Sequence, residues 1–132
     1  MMAGPAYQDD PSIRDDAALW RIIHPLWIVR DDNERGWRIS SGAFDDSTDG
    51  SPLSVLLAEI VASTGRTADE LLTRFTGYGL AAITAAVARA QRQGVARTPT
   101  PDEPAHASVF GKKTGSVKRA LAQAANWVHF PR

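Results

Sequence analysis

Six residues in this chain have side chains that could act together: Arg21, His24, Arg38, Ser40, Ser41 and His106. Guanidinium groups recognise phosphate and carboxylate in a bidentate manner, and two imidazoles can take and give a proton in turn. Arg21 and Arg38 fall within apolar stretches, where an arginine must point outward or find a partner. If those stretches are adjacent strands, the two arginines and Ser41 converge on a pocket for an anion. His24, before Pro25, and His106, after Pro104, sit where loops meet strands, and a rigid scaffold often holds reactive groups at such places. The chemistry such a set could carry out is metal-free cleavage at a nucleotide or RNA phosphate, with His24 and His106 as acid and base and Arg21 or Arg38 stabilising charge. The plainer expectation is that the arginines pair with surface acids.

A second candidate lies in EPAHASVFGKKTGSVKRA, residues 103–120. It fails the phosphate-loop pattern G-x-x-x-x-G-K-[ST]: Lys113 stands where Ser or Thr is needed, and His106 where the first glycine is needed. What remains is a strand, a loop and a helix start, with Lys112 and Lys113 as possible anion ligands. Asp45, Ser47, Asp49 and Gly50 match the first half of a calcium loop, but Leu56 occupies the closing glutamate position. No two histidines have metal-ligand spacing, and His129 reads as a helix-end group. Neither a metal nor a cofactor is expected.

The elements that must position these groups read as follows. Residues 1–16, rich in Asp with Gly and Pro, have the composition of a flexible tail. Residues 19–29 are too continuously apolar for a surface helix and contain Pro25, so two short strands or one bent strand fit. DDNERG is a turn, and WRISSGAF a further strand. A strand is expected over 53–57. Thr67 and Glu70 form a capping box for a helix that carries Leu71, Leu72 and Phe75 on one face and stops at Gly77. Residues 80–93 are open between a helix and a strand pairing with HASVF. HASVF is a strand, and SVKRALAQAANWV a helix capped by Ser116 that buries Val117, Leu121, Ala124 and Val128. The fold expected is α+β, a small single-domain sheet over 17–132 with a mid-chain helix and a C-terminal helix packed on it.

Composition narrows the function classes. Four tryptophans and 43 % apolar residues in 132 suit one globular domain. With no cysteine there is no disulfide framework, thiolate metal site or cysteine nucleophile. The start MMAGPAYQDD lacks the basic and apolar regions of a signal peptide, and no apolar run suits a membrane span, so a cytoplasmic protein with no membrane partner is expected. Formal charge is zero overall, but residues 1–70 hold 13 acids and 6 bases, and the remainder 2 acids and 9 bases. Either the halves attract each other, or the segment after Pro104 presents a basic patch to RNA or another polyanion.

The arrangement LWRIIHPLWIV, SSGAF, LSV and PDEPAHASVFGK resembles a pattern in small bacterial proteins, a likeness to which no activity is attached. It implies that Arg21, His24, Ser41, Phe44 and His106 share one site. The leading expectation is a binding or accessory domain that recognises a protein partner or anionic ligand through Arg38, Ser41, Lys112, Lys113 and the neighbouring histidines. The alternatives are the metal-free enzyme above and a structural subunit of an oligomer with interfacial tryptophans among Trp20, Trp27, Trp37 and Trp127.

Overall fold

The computed structural model describes residues 7–31 and 36–131. The first six residues of the predicted tail and residues 32–35 of the predicted turn lie outside the described residues. The chain forms β1 (Ala18–Ile23), β2 (Ile28–Asp31), β3 (Gly36–Ile39), β4 (Leu53–Leu57), α1 (Ala58–Ser63), α2 (Ala68–Leu71), β5 (Gly79–Thr84), α3 (Ala85–Ala90), β6 (Gly94–Arg97), β7 (His106–Phe110), α4 (Gly115–Ala124) and β8 (Asn126–His129). Six strands make an antiparallel sheet in the order β6-β7-β4-β1-β5-β8, and β2 and β3 form a separate hairpin. This is an α+β domain. Among the described residues no helix is long and apolar enough to cross a membrane.

Alternation along the strands divides the sheet into two faces. Leu19, Ile23, Leu53, Val55, Leu57 and Val109 point to one of them and are buried. Phe44, Ile39, Ala88 and Leu121 join them in a single core, which brings the hairpin, α3 and α4 to that side. The opposite face carries Trp20, Ile22, Ser54, Leu56 and His106, all half-buried. Burial of the first face is the main driving force for the fold.

Several elements differ from the sequence-based expectation, each for a local reason. The strand predicted over 37–44 ends at Ile39, because Ser40 caps a 3-10 turn, Ser41–Phe44, and its side chain accepts a hydrogen bond from the Gly42 amide. That turn drives Ala43 and Phe44 into the core. Residues 80–93 are both a strand and a helix: β5 ends where the Thr84 hydroxyl accepts from the Val87 amide and starts α3. β5 pairs with β1 and β8, while HASVF pairs with β4 and β6. The capping box at Thr67 and Glu70 is present, but α2 stops at Leu71 and the chain continues through turns, with Gly77 at φ 85°. Thr114 rather than Ser116 caps α4, which ends at Ala124. Val128 and His129 therefore lie in β8, with Val128 39 % exposed and His129 bonded to Asp69 at 2.9 Å.

Residues 7–16 are part of the folded domain rather than a tail. Ile13 is fully buried, the Tyr7 ring stacks on Phe110, and Asp9 and Asp10 both bond Val95. These bonds cover the outer edge of β6, which would otherwise present unpaired backbone groups.

Candidate functional site

The opposite face of the sheet floors a cavity of about 560 Å³. Strand register sets its floor: Leu56 lies opposite Trp20 on β1 and opposite His106 on β7, and Ser54 lies opposite Ser108. The segment after α1, through α2 and the turns that follow it, supplies the wall with Arg66, Leu71, Arg74 and Phe75, and the loop before β7 supplies Glu103. The capping box holds the start of α2 with an acceptor at both ends of the first turn. Arg66 and Glu103 close one side, Nη1 to Oε1 and Nη2 to Oε2, each at 2.7 Å. The Arg66 guanidinium beside it holds the Glu103 carboxyl below its ordinary range, and Glu103 in turn raises Arg66. Arg74 is exposed and makes no ion pair among the described residues.

At the floor, four polar side chains form a continuous chain. His106 Nδ1 lies 2.9 Å from the Thr98 carbonyl oxygen and 2.9 Å from Thr98 Oγ1, and Nε2 lies 3.1 Å from Ser54 Oγ. Thr98 Oγ1 is 2.8 Å from Ser108 Oγ. A carbonyl oxygen only accepts, and a bare ring nitrogen facing it would set two lone pairs against each other, so the neutral imidazole carries its proton on Nδ1. That leaves the Nε2 lone pair to accept from the Ser54 hydroxyl. A hydroxyl, an imidazole and a fixed acceptor behind the imidazole are the three parts of an activated serine.

His106 is the one predicted histidine that enters this cavity. His24 accepts from the Leu26 amide at 2.9 Å as the cap of the 3-10 turn Pro25–Trp27, and its ring stands edge-on to Trp27 and Tyr78. It does not line the cavity, so the two histidines do not form the acid and base pair expected of them. Arg21 also lines the cavity, but its guanidinium is held by backbone carbonyls. Its Nε donates to the Ala43 carbonyl at 2.9 Å and its Nη1 to the Ser54 carbonyl at 3.0 Å, with the guanidinium over Trp27. Burial lowers its pKa. It ties the Ser41–Phe44 turn to β4 rather than facing an anion.

The remaining candidates lie away from this cavity, with Arg38, Ser40 and Ser41 together in another. Arg38 pairs with Asp31 at 3.2 Å on the hairpin, opposite Val29 in the β2–β3 register. With Ser41 it lines a second concavity of about 1060 Å³ between the hairpin and the α4–β8 segment, where Trp37, Arg119 and Trp127 also lie. Lys113 is a structural cation: its side chain is 2 % exposed, and its ammonium bonds Asp46 at 2.6 Å and the Val109 carbonyl at 2.8 Å. Lys112 is exposed, and its carbonyl accepts from Gln93 Nε2 at 3.0 Å. Lys118 pairs with Asp45 at 3.2 Å. The acidic loop thus meets the basic segment after Pro104, and Arg89, Arg97, Lys113 and Lys118 of the second half pair with acids of the first. Among the described residues no cluster of His, Asp or Glu could hold a metal ion.

Ser54 was not among the residues singled out by sequence. Its signal is its place in LSVLL, a polar residue at an interior position of a strand whose neighbours are apolar. It becomes specific only when strand register sets it beside His106. The chain matches no protein-family model, no curated protein and no solved structure.

Proposed function

We propose that this protein is a small binding domain whose ligand is an organic anion with an apolar body, seated in the cavity over Trp20 and Leu56. The observation that carries this reading is the union of an apolar floor with an ordered polar end. Trp20, Ile22, Leu56 and Phe75 offer a hydrophobic bed, while Ser54 and His106 offer placed hydrogen-bonding groups. Arg74, exposed on the wall and without an ion pair among the described residues, supplies the charge complement for carboxylate or phosphate. Neutralisation of Lys113 and Lys118 by Asp46 and Asp45 favours this cavity over the basic segment as the anion site.

The test compares 1-naphthoate and 1-naphthyl phosphate with neutral 1-naphthol by thermal unfolding. A ligand that binds only the folded chain raises Tm with concentration. The two anions are expected to raise Tm more than naphthol, with the difference removed in Arg74→Ala and the whole effect removed in Leu56→Trp, which fills the floor. Equal shifts in Leu56→Trp and wild type, or no shift with any of the three, would refute the reading.

A further inference from the structure

We infer that Ser54 is an activated nucleophile and that the cavity carries out acyl transfer on a small ester, with His106 as general base. The inference rests on the binding reading for its substrate class, since hydrolysis of such an ester releases an organic carboxylate of the kind the cavity is proposed to hold. Its own support is separate. Ser54 Oγ sits 3.1 Å from Nε2, the nitrogen left with the lone pair once Nδ1 donates to Thr98. Thr98 holds the ring from behind with both carbonyl and hydroxyl, and the hydroxyl is anchored in turn to Ser108, which is 4 % exposed.

Two further groups hold the nucleophile and its base in place. The Arg21 guanidinium donates to the main-chain carbonyl of Ser54 at 3.0 Å and so holds the backbone of the nucleophile in place. Glu103 lines the same cavity and its main-chain carbonyl accepts from the His106 amide at 3.3 Å, so it holds the backbone of the general base in place. Arg21 and Glu103 are positioning residues, and neither touches the reacting atoms. Both Ser54 and His106 line the cavity, so a bound carbonyl carbon can reach the hydroxyl.

The step balances with no further reagent than water. As Ser54 Oγ bonds the carbonyl carbon, its proton passes to Nε2. The carbon to alkoxide bond then breaks, and the imidazolium returns the proton to the leaving alcohol. Water next attacks the acyl-serine, Nε2 takes its proton, and the proton is restored to Ser54 as the carboxylic acid departs.

A fluorophosphonate probe reads this chemistry directly, since an Oγ–P bond forms as P–F breaks and the hydroxyl proton leaves with fluoride. Wild-type protein is expected to gain one adduct by intact mass, mapped by peptide analysis to Ser54 among all its serines. Ser54→Ala is expected to gain none, and His106→Gln to label at least about 100-fold more slowly. Preincubation with 1-naphthoate is expected to slow labelling of the wild type, a measurement that needs no variant to fold. A wild-type chain that gains no adduct, or gains it at another serine, overturns the inference, as does unchanged labelling in folded His106→Gln. The two readings fail separately: naphthyl anions that bind without any Ser54 adduct sink the nucleophile alone. A Ser54 adduct without anion binding sinks the binding reading alone.

Discussion

Arg66 and Glu103 join the wall of the cavity to the loop that delivers His106 through two parallel 2.7 Å hydrogen bonds. Glu103 Oε2 also accepts from the Ala105 amide at 3.0 Å, and the His106 amide donates to the Glu103 carbonyl at 3.3 Å. One carboxylate therefore sets both the α1–α2 wall and the approach to β7. Because its folded pKa lies below the ordinary value of 4.5, its contribution is complete above the unfolded value and is lost as pH falls through the folded one. Glu103→Gln is expected to cost about 1 kcal/mol at neutral pH. Urea unfolding at several pH values should show that difference shrinking as wild-type Glu103 itself protonates; a difference that persists into acid would mean the carboxylate charge is not the source.

The buried Lys113 ammonium predicts an asymmetry between its two partners. Asp46→Ala removes the only carboxylate, among the described residues, within bonding distance of the Lys113 ammonium, whose side chain is 2 % exposed, and about 3 kcal/mol of destabilisation is expected. Lys113→Met removes the charge along with its need for a partner and should cost less. Denaturant unfolding of the two single variants and the double variant measures the coupling, and simple additivity would contradict it.

Gly94 lies opposite Phe110 in the β6–β7 register, and a Cβ added there would fall on the phenyl ring. Gly94→Ala is expected to destabilise by about 1–3 kcal/mol through overpacking. Phe110→Leu in the same chain should recover part of that loss, since it removes the ring from the space the methyl enters. If thermal unfolding shows the double variant to be worse than the sum of the singles, the ring contact is not the cause.

Ile13 tests whether the segment before β1 belongs to the domain. Its side chain is fully buried within the main core cluster. Ile13→Ala is therefore expected to cost about 3 kcal/mol, where a solvated residue would change stability by less than about 0.5 kcal/mol. A urea midpoint unchanged from wild type would return the segment to the status of a tail.

Local chemistry was legible in the sequence wherever a single turn or strand decides it. The capping box at Thr67, the strand at Leu53–Leu57, the strand HASVF and the α+β class follow from residue type and spacing. The misread positions are those where a contact far along the chain wins over local preference. Residues 7–16 look solvated until Ile13 meets the core and Asp9 reaches the Val95 amide at 2.9 Å. Lys113 looks like an anion ligand until Asp46 arrives from the other half of the sequence. His106 was identifiable as a residue at a strand edge, but its partner Ser54 was hidden. Nothing local links positions 54 and 106 until β4 and β7 come into register.

β1 is formed early in the sequence yet lies in the interior of the sheet, between β4 and β5. On the ribosome, this strand emerges with neither neighbour made, and its second ladder, from Ala18 opposite Thr84 to Ile23 opposite Gly79, closes only after most of the chain has followed. Such distant pairings make folding slow, on the order of milliseconds to seconds for sheet-dominated domains. During synthesis, then, the run LWRII is an unpaired apolar strand until β4 and β5 arrive, and such unpaired edges are prone to aggregation.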